Sequence, residues 1–181
     1  RTGTPPDEVL DMVPDAFHDP DGNWIGTSGR ARTIPFNTDA LSDSGVPDDI
    51  MAFPETEAFS DDVGWAPTYS SFQAFVTAMR VLEGEEATRE WLQGMLDLGV
   101  TEYSDEFLVS QAVADGEISA GFANHYYIQR VLAGRPNAPI STAFTDGDAG
   151  AIFNVAGACT LDTASDDDLA ANFVRHLLSA E

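Results

Sequence analysis

Asn124-His125-Tyr126-Tyr127 places two phenols side by side, the pattern in this chain best suited to binding a hard cation. Phenolates are hard oxygen donors, and a trivalent cation lowers their usual pKa of about 10 far enough to ionise them. Adjacent residues inside a regular helix point about 100° apart, whereas at a strand-to-helix corner both phenols can converge on one point. The plain alternative is two half-buried tyrosines with solvated hydroxyls. A second cluster, Trp65-Ala66-Pro67-Thr68-Tyr69-Ser70-Ser71-Phe72, gathers hydroxyls at an expected helix start, where free backbone N–H groups make an anion site. A simple serine cap by Ser70 or Ser71 competes with that reading. A third, Ser28-Gly29-Arg30-Ala31-Arg32, offers two arginines that can clamp an oxyanion or merely neutralise nearby carboxylates.

Other chemistries lack their residues. No Ser/His/Asp or Cys/His arrangement supplies a nucleophile, and no Walker pattern supports nucleotide binding. The 19–23 loop is no EF-hand: counted from Asp19, Trp24 and Arg30 stand where glycine and glutamate are required. Cys159 is the single cysteine, which excludes an intrachain disulfide; its small apolar neighbours predict a buried thiol.

The elements that must position these residues follow from apolar spacing. Residues 1–23 predict an irregular segment with a frayed helix near Val9 and Leu10. Trp24-Ile25 and Thr33-Ile34-Pro35-Phe36 predict two short strands either side of 27–30. A strand at Val63-Gly64-Trp65-Ala66 leads to a helix with Phe72, Phe75, Val76, Met79 and Leu82 on one face, closed by Gly84. Helices over about 85–98, 105–115 and 124–133 follow, with strands at 118–122, 140–144 and 151–158, and a last helix opens at Asp166-Asp167-Asp168. Strands alternating with helices predict an α/β fold with a mixed sheet flanked by helices.

The chain has 181 residues, 31 acidic and 8 basic, for a net charge of −23. All eight basic residues are arginine. So acidic a surface repels phosphate backbones and anionic headgroups, which argues against nucleic-acid and membrane-surface binding. At 43% hydrophobic residues a buried core is affordable. Molar salt shrinks the Debye length to about 3 Å, so strong acidity without lysine predicts a protein from an extreme halophile.

In chain order, these segments resemble the ferric-iron-binding solute-binding proteins of ABC importers. The run Trp24-Ile25-Gly26-Thr27-Ser28-Gly29-Arg30-Ala31-Arg32 resembles the opening of that family's second lobe. Gly64-Trp65-Ala66-Pro67-Thr68 through Phe72-Gln73-Ala74-Phe75 resembles its anion-binding turn, and Asn124-His125-Tyr126-Tyr127 its paired iron-ligating tyrosines. Gly147-Asp148-Ala149-Gly150-Ala151 through Gly157-Ala158 is similar to the strand returning toward the first lobe. The resemblance covers about 24–180 and implies one lobe of a type II periplasmic-binding-protein fold plus part of the other. Its expected boundaries are a second lobe at 24–146 and a returning segment at 147–181, with the family's N-terminal segment missing from the sequence.

The resemblance further implies that Tyr126 and Tyr127 ligate Fe³⁺. Carbonate or phosphate would complete the coordination beside Arg30, Thr68, Tyr69, Ser70, Ser71 and Asn124. Tyr69 stands where a smaller residue often contacts the anion, so it blocks phosphate, favours carbonate, or ligates iron itself. Glu106 falls near a position where some relatives have asparagine, which leaves the anion open. The implied protein is a non-enzymatic monomer, extracellular or anchored at the cell surface, that serves an ABC permease. Two rivals stand beside it: a binder of another small ligand (polyamine, thiamine or oxyanion), and a non-catalytic halophilic surface domain.

Overall fold

Residues Ile25–Asn37 form one continuous strand where the sequence predicts two short ones. The break expected at 27–30 is absent because pairing carries the backbone through it: Thr27 Oγ1 donates to Ala156 O at 3.1 Å on the neighbouring strand. The structure is a computed structural model and describes residues 2, 3, 7–161 and 163–179.

In chain order the elements are β1 (Thr2–Gly3), α1 (Asp7–Leu10), β2 (Ile25–Asn37), β3 (Val63–Trp65), α2 (Ser70–Leu82) and α3 (Glu85–Asp97). Then come β4 (Thr101–Glu102), α4 (Glu106–Asp115), β5 (Ala120–Gly121), β6 (Ala123–Asn124) and α5 (His125–Gly134). The chain ends through β7 (Ile140–Ala143), β8 (Phe153–Ala158), β9 (Thr160–Leu161) and α6 (Asp167–Leu178). It divides into two compact units, Arg1–Gly29 with Asn154–Glu181, and Arg30–Phe153. Where the sequence suggested boundaries at 23/24 and 146/147, the units meet the chain at 29/30 and 153/154, and the segment read as irregular belongs to the smaller unit.

In the smaller unit β1 pairs antiparallel with β9, and Val9, Ile25 and Val174 are buried together. Asp166 caps α6 by accepting from Leu169 N at 2.9 Å. Cys159 is exposed, contrary to expectation: the small residues before it lie on a strand rather than in a core.

The larger unit is a mixed sheet in the order β4-β3-β5-β2-β6, with β7 also on β2. β3 runs parallel to β4 and β5, while β5, β6 and β7 run antiparallel to β2. Two apolar clusters hold it. One gathers Trp65, Phe72, Phe75, Met79, Trp91 and Phe122 with α2 and α3. The other gathers Ala66, Val109, Val113, Ile118, Ile128 and Val131 with α4 and α5. Trp65 and Ala66 are consecutive and feed different clusters, as the period of two along an extended chain requires. Leu82, expected inward, is exposed at the fraying end of α2.

Candidate metal centre

Two strand-to-helix corners of the larger unit meet at the candidate site. After β3, Pro67 pre-sets its φ for a turn, and Tyr69 N donates to Ala66 O at 3.0 Å. That turn delivers Tyr69 as the N-cap residue of α2, with no side-chain cap. Neither serine caps the helix: Ser70 is exposed, and Ser71 Oγ is buried without a hydrogen-bond partner. At the second corner β6 runs directly into α5, whose N-cap Asn124 likewise makes no capping bond. Its side chain instead donates to Tyr126 OH at 3.4 Å.

The phenols converge. Tyr69 OH and Tyr127 OH lie 2.5 Å apart in a hydrogen bond. The Tyr126 and Tyr127 rings sit with centroids 4.3 Å apart, and Phe107 packs against Tyr127 at 6.2 Å. Tyr127 is buried, while Tyr69 and Tyr126 are half-buried. Burial first, and the bonds to Tyr126 and Tyr69 next, hold the Tyr127 proton well above the ordinary phenol range. Among the described residues no group of three or more His, Cys, Asp or Glu side chains could hold a metal. The oxygens gathered at these corners are phenolic.

Behind the phenols lies an ion pair whose members, Arg32 and Glu106, the sequence reading named separately and did not join. Arg32 is 1% exposed and Glu106 0%. Arg32 Nη1 donates to Glu106 Oε1, and the other carboxylate oxygen accepts Asn124 N at 3.0 Å. Arg32 faces Asn124 in the β2–β6 ladder, and its guanidinium lies over the Phe72 and Phe75 rings at 5.5 and 5.1 Å. Desolvation lowers its pKa, opposed by the charge of Glu106 and, more weakly, that of Tyr126. Arg30, two residues earlier, is half-buried and makes no ion pair among the described residues. The structure thus brings Tyr69, Asn124, Tyr126 and Tyr127 together. Thr68 and Ser70 are exposed beside the turn, and no hydrogen bond ties Arg30, Thr68 or Ser70 to the phenols.

No protein-family model matches the chain. It is 30% identical over 162 residues to the major ferric iron-binding protein of Neisseria meningitidis, covering 88% of this chain and 48% of that protein. It is also 30% identical over 174 residues to the Fe(3+)-binding periplasmic protein of Serratia marcescens, covering 92% and 50%. Iron-bound HitA from Pseudomonas aeruginosa superposes with a TM-score of 0.86 at 26% identity, over 99% of this chain and 58% of HitA. The Trichodesmium IdiA (FutA) complex with iron and citrate has a TM-score of 0.84 at 19% identity and shares the fold. The chain spans about half the length of the curated relatives it matches. Sequence and fold together relate it, over that half, to the ferric-iron-binding proteins of the type II periplasmic-binding-protein fold.

Proposed function

We propose that this chain is the iron-ligating lobe of an exported Fe³⁺-binding protein, and that Tyr126, Tyr127 and Tyr69 hold ferric iron as cargo for an ABC permease. The observation that carries the reading is the cluster of three phenols, Tyr69 hydrogen-bonded to Tyr127 and Tyr126 in ring contact with it, at two helix starts without side-chain caps. The partial positive charge at such starts favours the phenolates that a hard trivalent cation needs. Similarity to proteins named for ferric iron supports the cargo, and the Serratia relative's name supports a periplasmic or extracellular site of action. These relatives are named as binding proteins, in keeping with a carrier rather than an enzyme. A polyamine would need accessible carboxylates at the phenols, whereas Glu106 beside them is buried and paired.

Two routes complete the coordination. Tyr69 can supply a third phenolate, or carbonate or phosphate can sit at the start of α2 beside Arg30, Thr68 and Ser70. Phenolate-bound Fe³⁺ absorbs visible light by ligand-to-metal charge transfer, which packed neutral tyrosines do not. Ferric iron supplied as a weak chelate near neutral pH should therefore colour the protein. Tyr126→Phe or Tyr127→Phe should remove most of the band, and the double variant should be colourless yet folded, since phenylalanine keeps the ring packing. A double variant as strongly coloured as the parent would refute the assignment.

A further inference from the structure

We propose that His125 is a positioning residue for iron: its imidazole takes the β2 backbone donor that β6 abandons on turning into α5, and so fixes the corner that aims Tyr126. The inference rests on the ferric reading above. β2 and β6 pair antiparallel with Arg32 opposite Asn124 and Thr33 opposite Ala123, so the next rung would set Ala31 opposite His125. Arg32 N–H points the other way, to Ile152 O at 2.9 Å. By the alternation of an antiparallel ladder, Ala31 N–H therefore faces the β6 side. β6 offers no carbonyl at that rung, because His125 is the first residue of α5 and its carbonyl joins the helix ladder. The side chain supplies the missing acceptor: Ala31 N donates to His125 Nδ1 at 3.1 Å.

With that rung completed by a side chain, the chain passes from sheet to helix between 124 and 125 with no turn residue between them. The abrupt switch is what lets two adjacent phenols converge. Anchored at Nδ1, the imidazole presents itself edge-on to the Tyr126 ring, with centroids 5.8 Å apart and planes at 81°. Tyr126 depends on this support more than Tyr127 does. Tyr127 is buried, bonded to Tyr69 and packed by Phe107. Tyr126 is half-buried, and its hydroxyl is held by a long bond, 3.4 Å, from Asn124 Nδ2. A group that orients a metal ligand without touching the metal acts on affinity through that ligand alone.

The test is ferric affinity, measured by competition with a weak chelate and followed by the charge-transfer band. His125→Ala should bind iron about 10–100-fold more weakly than the parent. His125→Asn, whose Oδ1 can accept where Nδ1 does, should regain most of that loss. His125→Phe keeps a ring but no acceptor and should match alanine. A histidine that only stabilises the fold would act alike whichever tyrosine is present, so a double-mutant cycle decides. In a Tyr126→Phe background His125→Ala should cost little further affinity, whereas in a Tyr127→Phe background it should cost as much as in the parent. Equal losses in the two backgrounds overturn the inference and leave the ferric reading standing. Parental affinity in His125→Ala, or tighter binding by His125→Phe than by His125→Asn, does the same. Should the alanine variant not fold, the phenylalanine and asparagine variants are carried through the same cycle. A parent that never colours refutes the ferric reading, and the inference falls with it.

Discussion

A phenol surrounded by phenols is a poor acid. Tyr127 holds its proton above the usual value of 10.0 because burial and its bonds to Tyr126 and Tyr69 favour the neutral form. Iron binding must expel that proton, so the colour should fade as pH falls. The same shift bears on stability. The folded-state pKa is raised, so its stabilising contribution is whole below pH 10 and declines as pH climbs past the unfolded value, where the unfolded chain ionises first. The iron-free protein should therefore lose denaturant resistance above pH 10, and Tyr127→Phe should lose less of it. Parallel declines in parent and variant would show that the shift does not belong to Tyr127.

At the scale of elements, close approach of α4 to the sheet places the site. Gly121 on β5 permits it: a Cβ there would lie 2.4 Å from Val109 Cγ1 on α4 and 3.0 Å from Gly64 O. α4 begins at Glu106 and is capped by Asp105, which accepts from Leu108 N at 3.0 Å, so its first turn presents Glu106 to Arg32. Gly121→Ala should cost about 1–3 kcal/mol, the usual range for overpacking. Gly134, near the end of α5, has nothing within 4 Å of an added Cβ, and Gly134→Ala should leave stability unchanged or slightly raised. Equal denaturation midpoints for the two variants would remove the packing argument. Within the larger unit the helix starts also differ in a functional way: α4 carries an aspartate cap, whereas α2 and α5 leave their starts to the tyrosine cluster.

For the whole molecule, charge dominates. A net −23 on 181 residues repels itself in dilute buffer, and screening on the scale of 3 Å at molar salt relieves that repulsion. The acidic pairs at Asp48, Asp49 and at Asp167, Asp168 are exposed, so their repulsion is open to screening by salt. The halophile reading predicts that helix content by circular dichroism falls as salt drops below molar levels. An unchanged melting temperature in dilute buffer would end it.

Much of this protein was legible locally. Apolar residues at helical spacing and glycine stops marked α2, α3 and α4, and the corner at Asn124 marked a place where adjacent tyrosines could converge. Periodicity carries such information because each side chain's direction follows from its neighbours along one element. What spacing could not decide was which distant residues meet. Tyr69 and Tyr127 are 58 positions apart and Arg32 and Glu106 are 74 apart, brought together by the order β3-β5-β2-β6. The same limit explains the misread strand at 27–30, where pairing with β8 overrode local turn chemistry, and the exposed Cys159. It explains the arginines too. Arg30 and Arg32 alternate onto the same side of one strand, yet only Arg32 lies over Phe72 and Phe75 with a carboxylate to meet it, and burial of a charge is decided by that partner.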